Sequence, residues 1–278
     1  MFAAHALVGK PVRPLGTQLP RTAHMAVVHI PHASAHIPAA ERAPILLDDS
    51  ALRRELLVMT DWFTDELFSL PPSVVTTVRF PVSRLVLDPE RFLDDDAEPM
   101  APRGMGVVYE RTAAGGKLRD TPAPMDRNRL IERYYQPHHH ALKEAVAADL
   151  AALKISLVID CHSFPNHPLP YELDQSPDRP DICIGVDSFH TPPGLVDAVA
   201  AACQARNWTT AVNSPFAGAL VPSDYYQHDR RVHAVMLEVN RRLYMDETTG
   251  EQLETFSTVA RQLQDLVRSL LPAAAETK

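Results

Sequence analysis

The sequence has no long hydrophobic run. None of its segments approaches the ~18 consecutive apolar residues of a membrane-spanning helix, which argues against an integral membrane protein. Residues 1–21 also lack a lysine-led start, and their apolar stretch is interrupted by His5 and Gly9. A secretory signal has a positively charged beginning and an apolar core. We therefore predict that residues 1–24 form an N-terminal tail rather than a signal peptide.

The chain is also poor in cysteine and has no excess of positive charge. Its three cysteines, Cys161, Cys183 and Cys203, are odd in number and scattered, which predicts reduced thiols in a cytoplasmic protein. Its 27 lysines and arginines against 35 acidic residues give a formal net charge of −8. This balance argues against nucleic acid or an anionic membrane as the main partner. The 278 residues, 45% hydrophobic and 22% charged, have the proportions of a globular protein.

Several common functional signatures are absent as well. The sequence contains no phosphate-binding loop, no Rossmann glycine fingerprint and no Gly-x-Ser-x-Gly elbow. Short apolar runs at 25–30, 155–160 and 234–239 instead alternate with helical patterns such as 52–70. This alternation predicts an α/β sandwich with a mixed, largely parallel central sheet. No internal repeat or linker divides the chain, so we predict a single domain over residues 25–278.

Polar residues follow two of these apolar runs. His32 comes just after the first, and Asp160 ends the run at 155–160 with His162 following it. In open α/β sheets, ligands bind beyond the carboxyl ends of the strands. Two histidines and a carboxylate suit a catalytic metal that keeps one position for water, and Asp61 or Asp65 could supply the carboxylate. Histidines that serve only as hydrogen-bonded parts of the structure are the competing interpretation.

Charged side chains in apolar surroundings add a second signal. Glu238 lies inside the apolar run 234–239, where an unpaired carboxylate is costly to bury. Next to a metal-bound water it could act as a general base, whereas an ion pair with a nearby arginine such as Arg241 would make it structural. Arg84 and Arg91 could hold a substrate carboxylate or form salt bridges with neighbouring acids.

Three consecutive histidines, His138–His140, follow a proline inside a predicted helix. Consecutive residues of a helix point about 100° apart, so these three side chains cannot share one metal ion. We interpret them as surface or rim residues.

Five short motifs occur in an order that resembles the N-formylglutamate amidohydrolase family. They extend over residues 26–247 and are Pro31-His32-Ala33-Ser34, Thr60-Asp61-Trp62, Ser83-Arg84 with Asp88 and Arg91, Asp160-Cys161-His162-Ser163, and Leu237-Glu238-Val239-Asn240-Arg241. That family is related to zinc carboxypeptidases and aspartoacylases. The resemblance therefore implies a three-layer α/β fold of the phosphorylase/hydrolase type.

The resemblance also implies roles for individual residues. It implies one divalent ion, zinc in the first instance, bound by His32, Asp61 and His162, with Glu238 as the general base. The positions that bind substrate in the family are matched by four further residues: Arg84, Arg91, Asn240 and Arg241. Sites of histidine and carboxylate also accept manganese, iron or cobalt, so the sequence does not select the metal.

The implied reaction is the hydrolysis of a linear amide. N-formyl-L-glutamate and water would give formate and L-glutamate, the last step of one histidine degradation route, and the partner would be a small acidic N-acyl amino acid. The sequence departs from the family at Asp88-Pro89-Glu90-Arg91, where Asp-Leu-Asn-Arg is frequent, and the extra acid disfavours a dicarboxylate.

Two other functions stay open at this point. One is a carboxypeptidase- or deacylase-like hydrolase of another small amide. The other is a metal-dependent binding protein without turnover, against which Glu238 argues because metal storage needs no base.

Overall fold

The computed structural model describes residues 26–271, and the predicted tail at 1–24 lies outside this range. Its core is a six-stranded sheet with the strand order β2-β1-β3-β6-β4-β5. The strands are β1 (Val27–Ile30), β2 (Thr76–Arg79), β3 (Ser156–Phe164), β4 (Ile182–Gly185), β5 (Thr210–Val212) and β6 (Val232–Asn240). Neighbouring strands are parallel except for β4, which runs antiparallel to β6. The predicted α/β fold with a mixed, largely parallel sheet is therefore confirmed.

Helices cover both faces of this sheet. They are α1 (Ala39–Arg42), α2 (Asp49–Met59), α3 (Thr64–Leu67), α4 (Pro124–Leu130), α5 (Gln136–Leu153), α6 (Pro193–Gln204) and α7 (Phe256–Leu270), and a π-helical turn at Ile131–Tyr135 joins α4 to α5. Within residues 26–271, no helix combines the length and apolar character needed to cross a membrane.

The alternation of side chains along the central strands separates two hydrophobic clusters. Val27 and Val158 pack with Leu142 and Val146 of α5 on one face. On the other face, the cluster that includes Ile159 contains residues of α6 and α7. Successive strand residues point to opposite faces, so one run of β-branched residues contributes to both clusters. The arrangement is a three-layer sandwich.

The central strands β3 and β6 place two of the predicted site residues at the carboxyl end of the sheet. All nine residues of β3 are buried, as expected for a parallel strand covered on both faces. The register of these parallel strands pairs His162 with Glu238, so both side chains arrive at the same carboxyl edge.

The helix predicted over 52–70 is interrupted, and the interruption positions a functional residue. Helix α2 ends at Met59, and Phe63 adopts a left-handed conformation with φ = 66° before α3 begins. Between them, the backbone N–H of Asp61 donates to the carbonyl of His32 over 3.0 Å. Because the helix is broken here, Asp61 lies against the end of β1.

Candidate active site

A cavity of about 860 Å³ opens at the carboxyl ends of β1, β3 and β6. It is lined by His32, Asp61, His162 and Glu238, four residues that are distant in sequence. All four are at least nine-tenths buried. The sheet therefore brings the predicted ligands and the predicted base into one pocket.

Three atoms that could bind a metal ion converge inside this cavity. The Nδ1 atoms of His32 and His162 are 3.3 Å apart, and Oδ2 of Asp61 lies 3.2 Å from Nδ1 of His162 and 3.6 Å from Nδ1 of His32. Ligands placed about 2.0–2.2 Å from a tetrahedral ion are about 3.3–3.6 Å apart. The spacing of these atoms fits a single metal ion of zinc size.

Buried aspartates hold the far side of each histidine ring. Nε2 of His32 lies 2.8 Å from Oδ1 of Asp88, and Nε2 of His162 lies 3.1 Å from Oδ1 of Asp160. A carboxylate at Nε2 keeps a proton on that atom. Although burial lowers it, the neighbouring carboxylates raise the pKa of both histidines in the metal-free protein, so their Nδ1 atoms can carry a proton toward Asp61. A cation would displace these protons, and the two Nδ1 lone pairs and the Asp61 carboxylate could then bind it.

Asp61, rather than Asp65, lies with the histidines. Asp65 is ion-paired with Arg79 of β2 over 2.9 Å and is not among the residues lining the cavity. The other carboxylate oxygen of Asp61 accepts from Nη2 of Arg241 over 3.3 Å. Although burial by itself would raise it, hydrogen bonds to His162 and His32 hold the pKa of Asp61 well below its usual range. Asp61 is therefore a carboxylate at neutral pH.

Glu238 is buried, and none of the residues 26–271 forms an ion pair with it. Only 7% of its surface is exposed, and its Oε2 atom has no hydrogen-bond partner among the described residues. Burial, the largest cause, outweighs the attraction of His162 and raises the pKa of Glu238 to about 8. The ion-pair alternative does not apply to the described residues, because Arg84 and Arg241 pair with Asp88 and Asp61 instead.

Arg84 and Arg91 both line the cavity but differ in how they are bound. Arg84 donates to Asp88 over 2.8 Å and to the hydroxyl of Tyr109 over 3.1 Å, and the Tyr109 hydroxyl also donates to Asp88. The Nε atom of Arg91 lies 3.7 Å from Asp88, and within residues 26–271 its guanidinium makes no hydrogen bond. Arg91 is thus the arginine available to a substrate carboxylate.

The last two predicted substrate-binding residues serve the structure. The side-chain amide of Asn240 donates to the carbonyl of Pro180 over 3.0 Å, its oxygen accepts from the backbone of Arg242, and it does not line the cavity. Arg241 does line the cavity, but it is bound to Asp61 and to the carbonyl of Val58. The structure therefore does not bring Asn240 to the site, and it gives Arg241 the task of fixing Asp61.

Comparison with known proteins gives the same family as the motifs. The model of the N-formylglutamate amidohydrolase family matches residues 25–245. The chain belongs to the N-formylglutamate amidohydrolase family. It is an amidohydrolase that acts on a linear amide bond, as predicted.

Two curated relatives carry the name N-formylglutamate deformylase. The protein from Pseudomonas aeruginosa strain PAO1 is 26% identical over 254 residues, covering 88% of this chain and 92% of the relative. The protein from Pseudomonas putida is 25% identical over 254 residues, covering 89% of this chain and 91% of the relative.

Solved structures support the fold. The N-formylglutamate amidohydrolase from Ralstonia eutropha JMP134 superposes with a TM-score of 0.75 at 27% identity, covering 92% of this chain and 94% of that one. A gene product from Agrobacterium tumefaciens has a TM-score of 0.57 at 20% identity, covering 88% and 89%, and shares the fold.

Glu90 also belongs to the site, although the sequence marks it only as a departure from the family pattern. Its Oε2 atom lies 3.3 Å from Nε2 of His162 and 3.8 Å from Nδ1 of His32, and its Oε1 atom lies 3.6 Å from Nδ1 of His29. Two groups of possible metal-binding atoms include this residue, and within each group the atoms lie within 4.8 Å of one another. The first group is Glu90, His32 and His162, and the second is Glu90, His29 and Asp160. This amidohydrolase therefore has an additional carboxylate beside the histidine pair.

A buried chain of hydrogen bonds leads from α5 to this histidine pair. Nε2 of His138 lies 2.8 Å from Nε2 of His29, and Nδ1 of His29 lies 2.8 Å from Oδ1 of Asp160, which holds His162. The interpretation of His138 as a surface or rim residue is wrong, since 5% of it is exposed. Burial, with the neighbouring His29, lowers the pKa of His138 to about 2, so it is neutral.

Proposed function

We propose that this amidohydrolase is metal-dependent and removes the acyl group from a small N-acyl amino acid. N-formyl-L-glutamate is the first substrate to test, because both curated relatives carry the name N-formylglutamate deformylase. The observation that carries the proposal is the convergence of two imidazole Nδ1 atoms and one carboxylate beside a buried, unpaired Glu238.

His32, Asp61 and His162 would hold the ion. When bound, a divalent ion at such a site polarises the amide carbonyl and lowers the pKa of a water molecule toward ~7. Asp88 and Asp160 fix the tautomer and orientation of the two histidines, which keeps both Nδ1 atoms directed into the cavity.

Glu238 would move the proton. It accepts a proton from the attacking water, whose oxygen bonds to the acyl carbon. It then returns that proton to the departing nitrogen as the carbon–nitrogen bond breaks, so the products are a carboxylic acid and a free amine. Its Oε2 atom has no hydrogen-bond partner among the described residues, so this oxygen is free to take and return a proton.

Arg91 would hold the carboxylate of the amino acid. Its guanidinium faces the cavity and makes no hydrogen bond among the described residues. Its planar array of donors matches a carboxylate in a two-point interaction. Arg84 would act differently, because its bonds to Asp88 support the carboxylate that orients His32.

The proposal is tested by removing and restoring the metal. Purified protein treated with a chelator should lose the ability to release formate from N-formyl-L-glutamate, and zinc should restore it. Full turnover by thoroughly metal-free protein would overturn the metal dependence.

A further inference from the structure

The cavity has few positive charges to offer an acidic substrate. Three arginines line it, and two are bound within the protein: Arg84 to Asp88 and Tyr109, and Arg241 to Asp61 and a backbone carbonyl. Only Arg91 has a guanidinium that makes no hydrogen bond among the described residues. A substrate with two carboxylates, such as N-formyl-L-glutamate, would need a second cationic partner, and the other two arginines already hold the buried carboxylates of Asp88 and Asp61.

Glu90 adds a negative charge in the same space. It follows Pro89 and precedes Arg91 on the loop after Asp88, and all three residues 89–91 line the cavity. Its Oε2 atom lies 3.3 Å from Nε2 of His162, whereas its Oε1 atom is buried and has no hydrogen-bond partner among the described residues. By contrast, both oxygens of Glu98 accept backbone N–H groups, from Phe92 and Met100. Glu90 therefore places a carboxylate with one unbonded oxygen directly before Arg91 in the cavity wall.

One wall of the cavity is apolar. The segment 215–221 between β5 and β6 contributes only proline, glycine and hydrophobic residues, among them Phe216 and Leu220. Phe92 and Leu173 line the cavity from other loops and are 58% and 68% exposed. Exposed apolar side chains around a pocket mark a surface that an apolar ligand covers.

From this distribution of charge we infer that the preferred substrate is an N-acyl amino acid with one carboxylate and an apolar side chain, and that Glu90 selects against a second carboxylate. The single carboxylate would pair with Arg91, and the side chain would lie against the wall that includes Phe92 and Phe216. This inference rests on the proposed function and narrows its substrate class.

The test compares four substrates that share the formyl group: the N-formyl derivatives of L-leucine, L-methionine, L-glutamine and L-glutamate. Glutamine has nearly the shape of glutamate without the charge, so it separates charge from size. In the wild-type enzyme, kcat/KM for each of the other three should exceed that for the glutamate derivative by at least about tenfold. Equal or greater kcat/KM for N-formyl-L-glutamate would overturn the inference.

Variants then assign the preference to a residue. Glu90→Gln should reduce the glutamine-to-glutamate ratio by about tenfold, whereas Glu98→Gln, at a second cavity acid whose oxygens are already bonded, should leave the ratio at the wild-type value. The metal content of each variant is measured in parallel because Glu90 lies beside His162. An unchanged ratio in metal-loaded Glu90→Gln would rule out its selective role.

Binding measurements separate this inference from the proposed function. If none of the four compounds is turned over, the proposed activity fails, but calorimetric titration of the same compounds still ranks their affinities. Weaker binding of the glutamate derivative than of the glutamine derivative would support the selection by Glu90. Tighter binding of the glutamate derivative would overturn it.

Discussion

Replacing Glu238 by glutamine should reduce activity and raise the stability of the metal-free protein. In that form, burial raises the pKa of Glu238 from an ordinary value of 4.5 to about 8. The unfolded chain would release this proton near pH 4.5, whereas the folded protein keeps it until about pH 8. Stability should therefore fall as the pH rises between these values. A tenfold change in proton affinity corresponds to about 1.4 kcal/mol, so at pH 7 the cost is roughly 3 kcal/mol.

Glutamine keeps the shape of the side chain but carries no charge and cannot accept the proton. The free energy of unfolding of metal-free Glu238→Gln at pH 7 should therefore exceed that of the wild type by up to roughly 3 kcal/mol. Its kcat should fall by at least ~10²-fold, which corresponds to a barrier higher by about 2.7 kcal/mol. Denaturant unfolding at several pH values and steady-state kinetics measure both effects.

A matched control distinguishes this effect from the removal of any buried acid. Glu55 is also buried with a raised pKa, but it accepts the backbone N–H of Ala113 and does not line the cavity. Glu55→Gln should leave kcat unchanged. A Glu238→Gln protein that is destabilised and retains near-wild-type kcat would refute the reasoning and favour a structural role.

The remaining predictions concern the metal. His29→Leu should weaken metal affinity by about tenfold because it removes the donor that fixes Asp160, and His29→Asn, which restores an N–H at that point, should recover most of it. His190→Leu, at a buried histidine bonded to Val232 and Gln227, should lower stability without changing metal affinity. Asp61→Asn should weaken metal binding by more than the ~10–100-fold of an outer partner, and Asp65→Asn should have no effect. Chelator competition measures the metal affinity of all five variants, and denaturant unfolding measures the stability of His190→Leu.

The sequence predicted the parts of the site that lie on regular structure. His162 stands out because it follows an apolar run and Glu238 because it lies inside one, and parallel strands bring such residues to the same end of a sheet. The choice between Asp61 and Asp65 could not be made in the same way. It depends on the break after Met59, which a hydrogen bond to the backbone of His32 stabilises and which helical periodicity does not reveal.

Contacts between distant segments explain what the sequence did not predict. His138 and His29 are 109 residues apart, and the burial of His138 follows from the packing of α5 over the sheet. Asn240 follows Glu238 closely in the sequence, but it is the last residue of β6. Its side chain forms hydrogen bonds with backbone groups of Pro180 and Arg242, so it does not reach the cavity. Glu90 was visible as an unusual residue, but its position beside both histidines depends on the loop at 88–91.

Titration of metal-free protein with zinc, followed by formate release from N-formyl-L-glutamate and, in parallel, from N-formyl-L-glutamine, tests the central claim most directly. The convergence of His32, Asp61 and His162 on one point predicts that turnover is absent without the ion and rises in proportion to added zinc. It should reach its maximum at one equivalent per chain. Turnover that is complete before any ion is added, or that does not respond to zinc or another divalent metal, would contradict the account.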